Sequence, residues 1–273
     1  MRKALKRAAL EWPWDAAAAV YHRVRRTPVV GPLMLRGIER KARGARWIEA
    51  RVRAGPLHGM TLAIDPRVQA DVVVGAYERR LSRHVDGMLR DGDLAFDVGS
   101  HLGYFGILMA TAVGRRGRVV CFEPDPGVHE ALEQNVERNR ALIPADVSVA
   151  RLAIGAARGN TTFETGGHST RGRLSGSGDV DVDVVTLDDA VDRFGTPRFV
   201  KVDVEGGEVE VLAGAAVLVT AGTTSFGIEV HSDELEHSCR RFLEAQGYRC
   251  RVIKEAGRAE TYLLADPPGP RPT

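Results

Sequence analysis

The sequence predicts an α/β domain on a mostly parallel sheet, closed by a C-terminal antiparallel hairpin and preceded by a basic helical extension. Three observations carry that prediction. From residue 94 onward, short apolar runs alternate with helical stretches, the pattern of consecutive βα units. The first of these units reads Leu94-Ala95-Phe96-Asp97-Val98, then a turn holding Gly99 and Gly103, then the helical Ile107-Leu108-Met109-Ala110. Strand, glycine-rich turn and helix is how a parallel sheet builds a nucleotide site. At the far end, runs at about 248–253 and 259–264 flank Ala256-Gly257 and read as a hairpin.

Taken in order, residues 1–54 form the basic extension. A helix is expected over 2–25, broken at Pro13, followed by the breakers Thr27-Pro28 and Gly31-Pro32. A second basic helix is expected from about Leu33 to Val52, docked through Trp47 and Ile48. The domain proper spans 55–265, and a Pro-rich tail covers 266–273. Gly55 to Asp65 alternates as a strand with Gly59 in a turn, and Gln69 to Leu89 is helical in two pieces around Gly75. After strand 94–98 and a helix over 103–113, strand 118–122 ends at Glu123. Asp125-Pro126 then starts a helix, with the acid as N-cap and the proline at its first position. Strand 147–153 follows, then a Gly-, Ser- and Thr-rich loop or hairpin over 155–179, then strand 180–185 and a helix over 187–194. Strand 198–203 leads through Glu205-Gly206-Gly207-Glu208 into a helix ending near Ala215. Strand 225–230 precedes a helix over 233–246, where Asp233 and Glu236 fit a capping box.

Composition narrows the function. The 273 residues suffice for one large domain with an appendage. Net charge is +2, yet residues 1–60 hold 14 of the 38 Lys and Arg and only 4 of the 36 acids. Such an arm offers weak contact with an anionic membrane surface, or a solvated helical cap. Cys121, Cys239 and Cys250 are scattered, which fits a reducing compartment and excludes a Cys-based zinc site. The start Met1-Arg2-Lys3 resembles a leader, but Glu11 and Asp15 interrupt its apolar core, and no run of apolar residues is long enough to span a bilayer. The expected location is the cytoplasm.

The turn decides the ligand. Its pattern is D-x-G-x-x-x-G, and His101 stands where a dinucleotide fingerprint has its second glycine. An imidazole there crowds a pyrophosphate, which disfavours a nicotinamide cofactor. Asp97 repels phosphate and suits a cationic ligand, and S-adenosylmethionine carries an ammonium and a sulfonium. Cofactor contacts are therefore assigned to Asp97, Gly99, Ser100, His101 and Gly103. Glu123, 24 residues after Gly99, is placed to accept hydrogen bonds from both ribose hydroxyls, and Ala153 falls where an adenine edge meets backbone. Strand periodicity puts Lys201 and Asp203 on one face at a strand end, where they serve the reaction or pair with each other. Glu229 and His231 share a face at the next strand end, and His231 is a candidate base. Glu205 and Glu229 are assigned to the acceptor. Asp203, Glu229 and His231 could together bind a divalent cation, but no compact ligand spacing supports one, so no metal is expected.

These strings resemble one family. Gly75-Ala76-Tyr77-Glu78, Phe96-Asp97-Val98-Gly99 with Gly103, Phe122-Glu123-Pro124, Asn135-Val136-Glu137-Arg138-Asn139, Leu152-Ala153-Ile154-Gly155, Thr186-Leu187-Asp188 and Lys201-Val202-Asp203-Val204-Glu205-Gly206-Gly207-Glu208 are similar to FkbM-type S-adenosylmethionine-dependent methyltransferases. The resemblance runs from about Gly75 to Leu264 and departs at Ser100-His101, where the family usually has Ala-Asn. It implies a Rossmann-like class I methyltransferase fold and O-methylation of a hydroxyl on a sugar or other natural product. Lys201, Asp203 and His231 then carry acceptor positioning or proton removal, and the partner is a small-molecule or saccharide acceptor. Two alternatives from other classes are an RNA methyltransferase using the basic arm and a non-catalytic binder of an adenosyl ligand. The acidic body weighs against nucleic acid.

Overall fold

A computed structural model describes residues 46–66, 69–164, 173–174, 178, 180–254 and 261–269. The helix expected over 2–25 lies outside the described residues, as do the tip of the C-terminal hairpin and most of the second basic helix. The chain divides into two units, Met1–Ser82 and Arg83–Thr273.

In the first unit, strands β1 (Ile48–Arg51) and β2 (Thr61–Ile64) pair antiparallel, Ile48 opposite Ile64. Residues 48–51 were expected to end a helix, and the structure corrects this. Ile48 and Ala50 alternate with the charged Glu49 and Arg51, which is a strand period, and β2 lies near enough in sequence to pair with it. Gly59 turns with φ 92°, as expected. The two expected helical pieces are a short 3₁₀ turn at Ala70–Val72 and helix α1 (Arg79–Met88), which crosses the division between units.

The second unit holds a seven-stranded sheet. Its strands are β3 (Leu94–Val98), β4 (Arg118–Phe122), β5 (Asp146–Ala150), β10 (Phe199–Val202), β11 (Ser225–Val230), β12 (Arg249–Lys254) and β13 (Thr261–Asp266). The order is β12-β13-β11-β10-β3-β4-β5, with parallel pairing from β11 to β5 and antiparallel pairing at β13 and β12. This is the mostly parallel sheet with closing hairpin that the sequence predicts. From β3 the chain steps outward to β4 and β5; it then returns to β10 and steps the other way. The reversal lies between β3 and β10, and ligands bind at the carboxyl ends of strands on either side of such a switch point.

Helix α2 (Tyr104–Val113) is buried on nearly every side and carries no charged residue, as an internal helix should. Helix α3 (Pro126–Arg138) is capped by Asp125, whose carboxylate accepts from the Gly127 and Val128 amides. Phe96 and Phe122 of the core meet each other and the partly buried Phe194 edge to face, at centroid distances of 5.4–6.3 Å.

Between β5 and β10 lies a second sheet of β6 (Ala153–Ile154), β7 (Gly159–Glu164), β8 (Arg173–Leu174) and β9 (Val180–Val185), in the order β6-β9-β7-β8. One expectation is corrected here. Ala153 and Ile154 do not end the third strand of the main sheet but pair with β9. The stretch 155–179, expected as a loop or hairpin, holds the antiparallel β7–β8 pair, and β7 also pairs antiparallel with β9 and buries Phe163 against Ala153 and Val182. The polar residues of β7 hid a strand whose buried contacts come from only one of its faces. Helix α4 (Leu187–Phe194) follows with a Thr186–Asp189 capping box. The helix expected to end near Ala215 is two short ones, α5 (Glu208–Ala213) and α6 (Ala216–Ala221). Helix α7 (Asp233–Glu244) is capped by Ser232, which accepts from the Leu235 amide, so the expected Asp233–Glu236 box is one residue out of register. Asp266 closes β13 rather than opening the tail.

Candidate active site

The turn after β3 is fixed to its neighbours at three places. The Gly99 and Ser100 amides donate to the Phe122 carbonyl at 3.1 and 3.0 Å, and Ser100 Oγ donates to the Asp97 carbonyl at 2.7 Å. From α3, the buried Asn135 donates Nδ2 to the Leu102 carbonyl at 2.9 Å. Gly99 has φ 74°, and a Cβ there would lie 1.7 Å from the Asp203 carbonyl oxygen. Only glycine lets the turn after β3 pass this close to the end of β10.

Asp97 is fully buried, and neither carboxylate oxygen has a hydrogen-bond partner among the described residues. Burial pushes its carboxyl above the usual carboxylate range, against the pull of Lys201. Asp97 and Lys201 are register partners on β3 and β10, and Lys201 Nζ stands 3.9 Å from Asp97 Oδ1. A buried acid at the mouth of a glycine turn, held by one long ion pair and no hydrogen bond, keeps acceptor capacity for a donor from outside. Glu123 ends β4 as expected. Its Oε2 accepts from the His101 amide at 2.8 Å and its Oε1 from the Asp125 amide at 3.0 Å. Burial pushes its carboxyl up to about 7, although these two amides hold it down. His101 takes the left-handed φ of 48°, which turns its amide to Glu123.

The expected pairing of Lys201 and Asp203 is present. Nζ lies 3.0 Å from Asp203 Oδ2, and the same ammonium sits 5.1 Å from the centre of the Phe105 ring. Burial raises the Asp203 carboxyl, but Lys201 and then His231 outweigh it and hold it below the usual range. His231, after β11, donates from Nδ1 to Glu208 Oε1 at 2.8 Å. Its Nε2 lies 3.2 Å from Glu205 Oε2, 3.7 Å from Glu229 Oε1 and 3.9 Å from Asp203 Oδ1. Burial lowers the imidazole pKa, yet the Glu208 hydrogen bond and the charges of Asp203 and Glu205 raise it overall. Glu205 has φ 53°, which folds the turn after β10 back over the strand end.

The structure thus brings Asp97, Gly99, Ser100, His101, Gly103, Glu123, Lys201, Asp203, Glu205, Glu229 and His231 to the carboxyl ends of adjacent strands. Ala153 lies three residues past the end of β5, the strand beside β4, and packs with Phe163 and Val182 in the second sheet. Two residues escaped the sequence reading. Glu208 looks like an ordinary first-turn acid, whereas it is fully buried and orients His231. Asn135 is a helical asparagine whose task is to hold the glycine turn. The signal for Asn135 was a polar residue on an otherwise apolar helix stripe with Val128, Leu132 and Val136.

Comparison with known proteins identifies the family. Residues 97–250 match the family model described as the methyltransferase FkbM domain. The hexuronic acid methyltransferase AglP of Haloferax volcanii is 30% identical over 128 residues, which cover 45% of this chain and 50% of that protein. The chain therefore spans about half the length of this curated relative. Among solved structures, methyltransferase FkbM from Methylobacillus flagellatus has a TM-score of 0.50 at 19% identity, covering 72% of this chain and 52% of its own. An S-adenosylmethionine-dependent O-methyltransferase from Thermotoga maritima has a TM-score of 0.50 at 13% identity, covering 78% and 76%. At these identities the two structures establish the shared fold, a Rossmann-like class I methyltransferase sheet. The family match takes in both halves of the site, from Asp97 through His231, and more than half of the chain. The protein belongs to the FkbM methyltransferase family.

Proposed function

We propose that the protein is an S-adenosylmethionine-dependent methyltransferase whose acceptor is a hydroxyl of a saccharide or similar small molecule. The observation that carries this reading is the placement of two unlike groups on either side of the switch point. On the β3–β4 side lie the buried Asp97, the glycine turn and Glu123. On the β10–β11 side lie Lys201, Asp203, Glu205, Glu229 and His231.

The first group fits S-adenosylmethionine. Asp97 offers two buried acceptor oxygens to a cationic ligand and nothing to a phosphate. Gly99 and Gly103, with φ 74° and 85°, let the turn pack tightly, since a Cβ would lie 1.7 Å from the Asp203 carbonyl oxygen at the first and 2.2 Å from Leu132 Cδ1 at the second. Glu123 holds its carboxylate at the end of β4, where both ribose hydroxyls find acceptors. When bound, this cofactor supplies an electrophilic methyl group on a sulfonium sulfur.

The second group serves the acceptor. Lys201 fixes Asp203 by an ion pair, and Glu208 fixes His231, so both acceptor-facing groups are held in place before any ligand arrives. An acceptor hydroxyl near them meets carboxylate and imidazole able to orient it and take its proton. The hexuronic acid activity of the Haloferax relative supports a saccharide acceptor. The carboxylate-rich surface of the site favours a polyol over a nucleic-acid phosphate.

Calorimetry with S-adenosylhomocysteine and with NAD tests the cofactor, and labelled methyl transfer to saccharide extracts, with RNA alongside, tests the acceptor. Binding of NAD without the adenosyl ligand, or transfer to RNA alone, would overturn the proposal.

A further inference from the structure

We propose that Asp203, Glu205 and His231 form a binding site for one divalent cation, which holds the acceptor's hydroxyl oxygens. No compact ligand spacing marks this site, because the three residues come from two different strand ends. The structure brings one ligand atom from each to within 4.8 Å of the others. His231 Nε2 is 3.2 Å from Glu205 Oε2 and 3.9 Å from Asp203 Oδ1. Ligand atoms about 2.1 Å from a common metal lie about 3.0 Å apart at right angles and about 4.2 Å apart when opposed. Both of these separations from His231 Nε2 fall between the two limits.

The outer ends of two ligands are already committed. Asp203 gives Oδ2 to Lys201 at 3.0 Å and leaves Oδ1 toward His231. His231 gives Nδ1 to Glu208 and leaves Nε2 toward the two carboxylates. A buried carboxylate on the far nitrogen is the usual partner of a metal-bound histidine, where it fixes the tautomer and strengthens the ligand.

Glu208 supplies the independent observation. It is fully buried and aimed at the site through His231. Both of its hydrogen bonds, from the Gly206 amide and from His231, fall on Oε1. Its Oε2 is buried without a hydrogen-bond partner among the described residues. A buried carboxylate with one oxygen unsatisfied is stabilised by positive charge nearby, and a cation on the other nitrogen of the ring would add it.

Charge counting points the same way. Asp97, Asp203, Glu205, Glu208 and Glu229 face Lys201 and one imidazole. S-adenosylmethionine, with its ammonium, sulfonium and carboxylate, adds a single net positive charge. One imidazole with two carboxylates suits a borderline cation such as Mn²⁺, Co²⁺ or Zn²⁺. Its remaining positions would take water or two neighbouring hydroxyls of a sugar. This inference rests on the saccharide-methyltransferase reading for its purpose, though not for its geometry.

The test uses the full chain, stripped with chelator and free of cofactor and acceptor. Mn²⁺ is titrated, with the loss of the free-ion electron paramagnetic resonance signal and the calorimetric heat as readouts. One equivalent should bind. Glu205→Gln and His231→Gln should each weaken binding at least tenfold, and Glu208→Gln about 10- to 100-fold. Far-ultraviolet circular dichroism confirms folding, and Glu205→Asp, which keeps the ligand type, should retain most of the affinity should a larger change unfold the turn. Absence of binding by millimolar Mn²⁺, or binding that Glu205→Gln and His231→Gln leave unchanged, overturns the site. That result leaves the methyltransferase reading standing, since the cation is measured without methyl transfer. Cation binding with no methyl transfer to any saccharide would do the reverse.

Discussion

Gly99→Ala tests whether the two halves of the site are as close as the structure places them. The substitution has two costs. Alanine at φ 74° is in left-handed backbone, worth about 1–2 kcal/mol. The new Cβ would also lie 1.7 Å from the Asp203 carbonyl oxygen, well inside contact distance, so one strand end must shift. Overpacking of that kind adds about 1–3 kcal/mol. The sum is about 2–5 kcal/mol, a large share of a domain's stability. Gly92→Ala supplies the control, because Gly92 has φ 101° and nothing within 4 Å of its would-be Cβ. It should lose the backbone cost alone. Denaturant unfolding of both variants measures the difference, and calorimetry with S-adenosylhomocysteine measures what the displaced turn does to binding. Affinity should fall in Gly99→Ala and hold in Gly92→Ala. Equal destabilisation of the two variants would refute the close approach, and with it the account of how the turn and the end of β10 meet.

Three further predictions follow from the site. Glu123→Ala should weaken cofactor binding at least tenfold, since two hydrogen bonds to a charged group contribute about 1.5–3 kcal/mol each, while turnover at saturating cofactor is spared; a fall in saturated turnover with unchanged affinity would contradict the ribose role. Asp203→Asn keeps size and removes charge, so turnover should drop about 100-fold or more with cofactor affinity nearly unchanged, and normal turnover in the folded variant would remove Asp203 from the reaction. The pH dependence follows from burial of Glu123, which pushes its carboxyl up to about 7: the carboxylate, the better acceptor, predominates above that value, so S-adenosylhomocysteine affinity should rise from pH 6 to pH 8 and flatten in Glu123→Gln. Stability of the ligand-free protein runs the opposite way, because a raised folded pKa contributes stability below the usual value of 4.5 that is lost as pH climbs through 7. Melting temperature without ligand should therefore fall between pH 5 and pH 8, and Asp97, raised by burial as well, works in the same direction.

Much of this site is legible in the sequence because local rules apply there. The turn after β3 declares itself by an apolar run ending in an acid and two glycines. The contact between Lys201 and Asp203 follows from strand periodicity alone. What the sequence hides is which strand end adjoins which. Glu208 reads as support for a helix dipole until β11 is seen beside β10, carrying His231 onto it. The residues 48–51 gave a charged stretch that suits a helix surface or an edge strand equally well, and only pairing with β2 decides. The same holds for β7, whose polar residues show no apolar face until β9 covers Phe163.

The register between β3 and β10 has a consequence for how this enzyme can change over evolutionary time. Asp97 and Lys201 face each other on hydrogen-bonded neighbours, and the Asp203 amide is tied to the Val98 carbonyl at 3.0 Å. These amides can open only if the centre of the sheet opens, so they should be among the slowest to exchange with deuterium. A floor built this way cannot be retuned piecemeal, since a shift in either strand moves both charges together. Glu205 and His231, by contrast, stand on turns beyond the strand ends. New acceptors can be accommodated there by insertion or substitution while the β3–β10 pair stays as it is.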